Sequence, residues 1–109
     1  MVNFLSALVA TLVLVITPTS GPAPLNVVAH VSIESPVEQG IVCVQVFEDG
    51  EAVSEPFCEP MDGLEVEMPL FGRVPGKYEA RAFLFTVDHM DEPIKSNIIG
   101  VEVTEPKDQ

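Results

Sequence analysis

The chain has 109 residues and a net charge of −12, with 17 acidic residues against 5 Lys and Arg. This length has room for one domain at most. No Lys or Arg precedes Arg73, whereas ten acidic residues lie between Glu34 and Glu67. Such a surface repels phosphate backbones and anionic lipid headgroups, so binding to nucleic acid or to an anionic membrane is disfavoured. The acid excess indicates a solvated surface that maintains solubility, with binding of cations or of a basic partner as the alternative.

The N-terminal segment Phe4 to Ile16 is almost wholly apolar and carries no charge. It is shorter than the roughly 20 residues of a membrane-spanning helix, but it suits the hydrophobic region of a secretory signal peptide. We therefore predict a signal peptide over residues 1–20, cleaved before Gly21 or Leu25, and a protein that is secreted or held at the extracellular surface. The alternatives are an uncleaved short membrane anchor and a first strand of the mature fold, which the lack of alternation disfavours.

The rest of the chain predicts an all-β domain over residues 26–104, preceded by a Pro- and Gly-rich linker at residues 21–25 and followed by a polar tail at residues 105–109. Ser35-Pro36, Gly40, Asp49-Gly50 and the segment Glu59 to Gly63 predict turns between the strands. Six strands are predicted, at 26–34, 41–47, 52–57, 64–70, 77–86 and 97–104. The second is apolar nearly throughout, which indicates a central strand covered on both faces. Alternation in the first and fourth strands predicts that their core-facing residues are Val27, Ala29, Val31 and Ile33, and Leu64, Val66, Met68 and Leu70. Because Pro69 cannot donate a ladder hydrogen bond, we place the fourth strand at a sheet edge.

One short motif carries a family resemblance. Val74 to Phe83, Val-Pro-Gly-Lys-Tyr-Glu-Ala-Arg-Ala-Phe, resembles the turn and sixth strand of fibronectin type III and related immunoglobulin-like domains, and Gly100 to Val103 resembles their seventh strand. The resemblance implies an antiparallel immunoglobulin-like β-sandwich of six to seven strands. It also implies that Tyr78 forms a tyrosine corner, with its hydroxyl bonded back to the turn backbone. The chain departs from the family in having no Trp, and Ala80 stands where an antibody-type domain has its second core Cys.

Cys43 and Cys58 are the only cysteines, and an even count in an exported chain predicts a disulfide. If the second and third predicted strands form a hairpin around residues 49–52, the two cysteines lie directly opposite one another. In an immunoglobulin-like fold the second and third strands belong to different sheets, so a hairpin and an inter-sheet arch both stay open. A bridge that closes about 15 residues contributes roughly 3 kcal/mol on the chain-entropy model.

The chain offers no catalytic constellation, so we predict a protein that is not an enzyme and uses no cofactor. No serine lies in a Gly-x-Ser-x-Gly motif, and no carboxylate pair stands out for glycosidase chemistry. The run Asp88 to Glu92 gathers metal-ligand types, but it lacks both the spacing of an EF-hand and the paired His of a zinc site. We interpret it as a solvated loop without a metal, and His30 as an exposed strand histidine.

A surface for a partner is predicted from the alternation in the fifth strand. If Tyr78, Ala80, Ala82 and Leu84 face the core, Phe83 and Phe85 lie on the outer face, where an exposed aromatic pair can mark an interaction site. We therefore predict a non-catalytic module that binds a protein or glycan partner. The alternative is a carbohydrate-binding or accessory domain of an extracellular enzyme system, on fold analogy alone. A leading domain of a longer protein is a further reading. The predicted interaction residues are Phe83, Phe85, Asp88, His89, Asp91 and Glu92.

Overall fold

The computed structural model of the chain describes residues 11–72 and 74–106, and these residues are mostly in β-strands. The fold is all-β, as the sequence predicts. Residues 1–10 of the predicted signal peptide and residues 107–109 of the predicted tail lie outside the described residues. In chain order the strands are β1 (Leu12–Thr17), β2 (Ser20–Pro22), β3 (Leu25–Glu48), β4 (Glu51–Ala52), β5 (Phe57–Gly72), β6 (Gly76–Phe85) and β7 (Ile94–Thr104), with a short 3-10 helix (Val87–His89) before β7.

The strand β3 is 24 residues long and forms the centre of the fold. Its first half lies between β1 and β5, and its second half lies between β6 and β5. The register with β5 shifts between Ser32 and Gly40, where Gln39 has a φ of 60°. Such bulges bend a strand without ending it. The predicted turn at Ser35-Pro36 and Gly40 is therefore wrong, because the chain bends within one continuous strand there.

The strand β5 is the other arm of a long hairpin with β3. The predicted break over Glu59 to Gly63 is wrong, because Gly63 takes a φ of 125° that only glycine adopts easily and the strand continues through it. Within the part of the chain that the structure describes, β5 pairs with β3 alone, so its other side is a sheet edge. The predicted edge position of Pro69 is confirmed. Proline and acidic side chains along an edge discourage pairing with other chains.

The hairpin turns at Asp49 and Gly50, whose φ values of 54° and 83° fit the type of turn that an Asp-Gly pair favours. Farther from the turn, Cys43 lies directly opposite Cys58, with a Cα–Cα distance of 4.0 Å, and the two form a disulfide. The predicted disulfide is confirmed. Of the two arrangements that the sequence left open, the hairpin is the one that the chain adopts.

The strands β6, β7 and β1 complete a ring with β3. β6 pairs with the second half of β3 and with β7, and β1 returns to β7 through the pair Leu12 and Ser96. The side chain of Asn97 supports this closure, because its Oδ1 accepts the Leu14 N–H at 2.8 Å and its Nδ2 donates to the Leu14 carbonyl at 3.0 Å. One amide side chain thus satisfies both backbone groups of Leu14.

The core is lined by the inward-facing residues of these strands. The predicted core positions of the first half of β3 and of β6 are buried, and Tyr78 packs against them from the side. Leu64 is an exception at 48% exposed, since it lies between Glu65 and Gly63, where the register of β5 with β3 shifts. The confirmed buried positions are Val27, Ala29, Val31, Ile33, Ala80, Ala82 and Leu84.

The apolar N-terminal segment contributes β1. Leu12, Leu14 and Ile16 are buried, whereas Val13 and Val15 are 40% and 47% exposed. Burial therefore alternates although residue type does not, and this is why the sequence pattern disfavoured a first strand here. Removal of residues 1–20 would delete β1 and three core side chains; cleavage before Gly21 stays a prediction.

The predicted linker runs along the edge of the sheet. Ser20–Pro22 forms β2, which pairs in parallel with β7. The Ala23 N–H donates to the Thr104 carbonyl at 2.9 Å, and the Glu102 N–H donates to the Thr19 carbonyl at 2.8 Å. The predicted linker is therefore an extended segment whose backbone is bonded to the sheet.

We expect Leu14→Ala to lower the free energy of unfolding by about 2–5 kcal/mol, because Leu14 is fully buried and its truncation leaves a cavity. The matched variant Val15→Ala, on the exposed face of the same strand, should change it by less than about 1 kcal/mol. Urea unfolding of the purified variants measures both. If both variants unfold at the wild-type urea concentration, β1 is not part of the folded protein. That result is the one expected for a chain that is cleaved before Gly21.

Candidate functional site

The predicted aromatic pair lies on the outer face of the sheet formed by β5, β3, β6 and β7. Phe83 is directly opposite Cys43, and Phe85 is directly opposite Ile41. Residues opposite one another in a ladder point to the same face, so both rings share a face with the disulfide. We call this surface the outer patch, and its members are Ile41, Cys43, Cys58, Pro60, Phe83 and Phe85.

The outer patch is apolar and partly open to solvent. Ile41 is 50% exposed, Phe83 and Phe85 are half-buried, and Cys43 is covered. The apolar run of the second predicted strand indicates that this strand is covered on both faces. That expectation is wrong at Ile41, since only the face of Val42 and Val44 packs into the core. The apolar residues left over on the other face form the centre of the outer patch.

Acidic residues follow this face in the chain. Asp88, Asp91 and Glu92 are exposed in the connection that follows Phe85, and His89 is exposed with them. Among the described residues, no group of three or more His, Cys, Asp or Glu side chains is placed to hold a metal ion. The outer patch is therefore followed in the chain by an acidic connection, and the exposed Lys95 lies directly opposite Phe83 on β7.

A bulge between Arg81 and Phe83 precedes the aromatic pair on β6. The buried Ser96 occupies it, because its hydroxyl accepts the Ala82 N–H at 2.9 Å and donates to the Asn97 carbonyl at 2.7 Å. The Arg81 Nε donates to the Ser96 carbonyl at 2.7 Å. These bonds satisfy backbone groups that the shifted ladder leaves unpaired. Sequence reasoning missed Ser96, since a lone serine near a strand start indicates a turn as readily as a bulge.

The other histidine that the sequence singled out lies apart from this surface. His30 is on the first half of β3, opposite Glu67 of β5, with its Nδ1 3.0 Å from Glu67 Oε2. Both side chains remain substantially exposed, so the pair is a surface contact of small energetic weight.

Tyr78 fixes the turn that leads into β6. Its hydroxyl donates to the Val74 carbonyl at 2.6 Å, which is the kind of bond that the family resemblance implies. Desolvation by burial raises the pKa of Tyr78, and the neighbouring Glu48 carboxylate raises this pKa further. The phenol therefore stays in its protonated, hydrogen-bond-donating form to a higher pH than an ordinary tyrosine.

A concave feature, which we call the end cleft, opens beside Tyr78. It has a volume of about 500 Å³ and lies between residues of β1, the first half of β3 and β5 on one side, and residues of the second half of β3, β6 and β7 on the other. Its walls are mainly aliphatic, and Glu48, Ser54 and Tyr78 supply polar atoms. Sites for small molecules span about 300–1,000 Å³. No sequence motif indicates the end cleft, because its walls come from residues far apart in the chain.

Comparison of the chain with protein-family models, with curated proteins and with solved structures finds no match. None of the described helices has the length and apolar character that crossing a membrane requires. The function is therefore argued from the geometry of the outer patch.

We expect Tyr78→Phe to lower the free energy of unfolding by about 1 kcal/mol, because the Val74 carbonyl loses its donor. The folded-state pKa of Tyr78 lies above the unfolded value, so this stabilisation is fully present below about pH 10 and is lost as pH rises through the folded-state pKa.

Urea unfolding of wild type and variant between neutral pH and pH 11 tests this. Wild type should lose stability more steeply than Tyr78→Phe at the alkaline end, and subtracting the two curves removes the contribution of the lysines. Parallel curves would show that the hydroxyl is not held as the structure describes.

Proposed function

We propose that this chain is a non-catalytic domain that acts outside the cell and binds a protein partner through the outer patch. The observation that carries the proposal is the exposure of Ile41 beside the half-buried Phe83 and Phe85 on one sheet face. A contiguous apolar surface with a polar rim marks an interaction site, whereas scattered single apolar residues do not.

The net charge of −12 favours a basic partner, and charges of both signs lie around the outer patch. Asp88, Asp91 and Glu92 follow the patch in the chain and are exposed, whereas the exposed Lys95 lies directly opposite Phe83 and shares its face. A largely cationic partner surface with an acidic group that faces Lys95 would be complementary to this arrangement, and its association would be faster at low ionic strength.

The supporting fold is, in this proposal, an immunoglobulin-like β-sandwich. Two groups of strands support it: β1 with the first half of β3 and the second half of β5, and β2, β7 and β6 with the second half of β3 and the first half of β5. The bond between Tyr78 and Val74 also fits this fold. If β1 is the first strand, the predicted strand Ile41–Phe47 becomes the third, and its hairpin with the following strand no longer conflicts with the family's topology.

The disulfide supports an extracellular location. Disulfides persist in oxidising compartments and are rare in the cytosol, and Cys43 and Cys58 are joined in the structure. A secreted domain of this size gains from such a covalent link, since its core alone supplies little stability.

A glycan partner has less support than a protein. Binding of sugar rings relies on exposed Trp or Tyr, and the chain has no Trp and a single Tyr, whose hydroxyl is bonded to Val74. We therefore keep the carbohydrate-binding reading as an alternative outcome of the test below.

The double variant Phe83→Ser/Phe85→Ser tests the proposal. We expect it to reduce recovery of extracellular partner proteins on the immobilised chain about tenfold or more, since aromatic anchors carry much of the energy of an interface. The control Val13→Ser/Val15→Ser changes an exposed apolar pair on β1 and should leave recovery unchanged.

Quantitative mass spectrometry of the captured proteins provides the readout, with circular dichroism to confirm that each variant is folded. Equal recovery by wild type and the Phe83→Ser/Phe85→Ser variant would show that the outer patch does not bind the partner. If wild type binds a glycan array saturably and the same variant does not, the outer patch binds a carbohydrate ligand instead of a protein.

A further inference from the structure

Two of the chain's five basic residues lie together on the outer face of the sheet. Arg81 of β6 is directly opposite Ile98 of β7, and Phe83, on the same face of β6, is directly opposite Lys95. Residues opposite one another in a ladder point to the same face. Both basic side chains therefore share a face with the outer patch, and we call Arg81 and Lys95 the cation pair.

A hydrogen bond holds the Arg81 guanidinium against the backbone beside Lys95. The Arg81 Nε donates to the Ser96 carbonyl at 2.7 Å, and Ser96 directly follows Lys95 in the chain. Arg81 is half-buried, whereas Lys95 is exposed. A side chain that is already fixed loses less conformational entropy when a ligand binds to it. The guanidinium is therefore positioned for a partner before the partner arrives.

The cation pair has no acidic counterpart in the part of the chain that the structure describes. Among those residues, no carboxylate oxygen lies within 4.0 Å of a basic nitrogen of Arg81 or Lys95, although the protein has 17 acidic residues. By contrast, Lys77 on the same face of β6 is directly opposite Glu102. Like charges placed together repel one another, and partial burial of Arg81 removes part of its hydration. An anionic group on a partner would relieve both costs.

The neighbours of Arg81 on this face decide where that anionic group lies. Glu79 precedes Arg81 on the same face of β6 and is exposed, so it repels an anion on that side. On the other side lie Phe83 and Lys95, and Ile98 beside Arg81 is 52% exposed. The anionic group therefore lies between the two cations, with apolar side chains on either side of it.

The chemistry of this site fits a carboxylate better than a phosphate. Among the described residues, the hydrogen bonds of Arg81 use Nε alone, so its two terminal nitrogens remain to form a bidentate pair with a carboxylate. A phosphorylated side chain carries about two negative charges at pH 7. A protein with a net charge of −12 repels such a group more strongly than a carboxylate with a single charge.

We propose that the cation pair binds an Asp or Glu carboxylate of the protein partner, and that apolar side chains next to this carboxylate pack on Phe83 and Ile98. This inference rests on the proposed function of the outer patch and names the feature of the partner that the surface selects. The partner is basic overall and has one acidic side chain where it meets Arg81 and Lys95. A partner without that side chain leaves the Arg81 guanidinium desolvated and unpaired, which lowers its affinity.

Selection of a displayed library of random peptides on the immobilised full chain supplies the probes. Peptides that bind wild type but not the folded Phe83→Ser/Phe85→Ser variant bind the outer patch. We expect these peptides to share an Asp or Glu beside apolar residues. Its replacement by Asn or Gln should lower affinity for wild type about tenfold, as measured by isothermal calorimetry. A phosphoserine at the same position should bind more weakly than the carboxylate.

Variants of the chain assign this loss to the cation pair. Arg81→Gln should bind the acidic peptide and its amide counterpart with affinities within about twofold of each other. Lys95→Gln, at an exposed position, should narrow the tenfold difference to about threefold, and it carries the test if Arg81→Gln does not fold. The matched control Lys77→Gln removes one positive charge from the same face and should retain the tenfold difference.

The failure of this inference is distinguishable from the failure of the proposed function. Outer-patch peptides without a shared acidic residue, or a tenfold difference that persists in both Arg81→Gln and Lys95→Gln, would overturn the role of the cation pair and leave the proposed function intact. Tighter binding of the phosphoserine peptide would overturn the assignment of a carboxylate. A selection that yields no peptide dependent on Phe83 and Phe85 would contradict the outer patch itself and the cation pair with it.

Discussion

Backbone hydrogen bonding along both sides of β3 is the constraint on which the rest of the structure depends. Four strands, β1, β4, β5 and β6, pair with it directly, and β7 and β2 are attached through them. The bulges between Ser32 and Gly40 let one strand pair with two groups of neighbours. β5 pairs along one side of β3, while on the other side β1 pairs with the first half and β6 with the second half. If β3 ended at Ser35-Pro36, as its turn residues indicate, the two groups would be joined only by a flexible connection.

The same alternation that builds the core also builds the outer patch. In the second half of β3, Val42 and Val44 are buried, so Ile41 and Cys43 face outward. A slip of one residue would exchange the two sets, since side chains in a strand alternate with a period of two. The disulfide between Cys43 and Cys58 opposes that slip, because it joins directly opposite positions of the hairpin. It therefore maintains the proposed binding surface as well as the stability of the fold.

Local patterns predicted the parts of the fold that depend on near neighbours. The alternation in β6 identified its core residues, Asp49-Gly50 identified the hairpin turn, and the spacing of the cysteines identified their opposite positions. Patterns failed where the outcome depends on distant residues. The strand β1 is apolar on both faces, and only its pairing with β3 and the side chain of Asn97 decide which face is buried. The end cleft was invisible for the same reason, since it exists only between strands brought together by folding.

Native-state amide hydrogen exchange tests the central position of β3 most directly. If the strand is a single unit, amides of both halves, such as those of Ala29 and Val44, exchange only through global unfolding and give the same free energy, while those of β2 at the margin exchange faster. The account would be contradicted if the two halves of β3 gave different free energies of exchange and each half exchanged together with the strands paired to it. That result would show that the chain folds as two separate units.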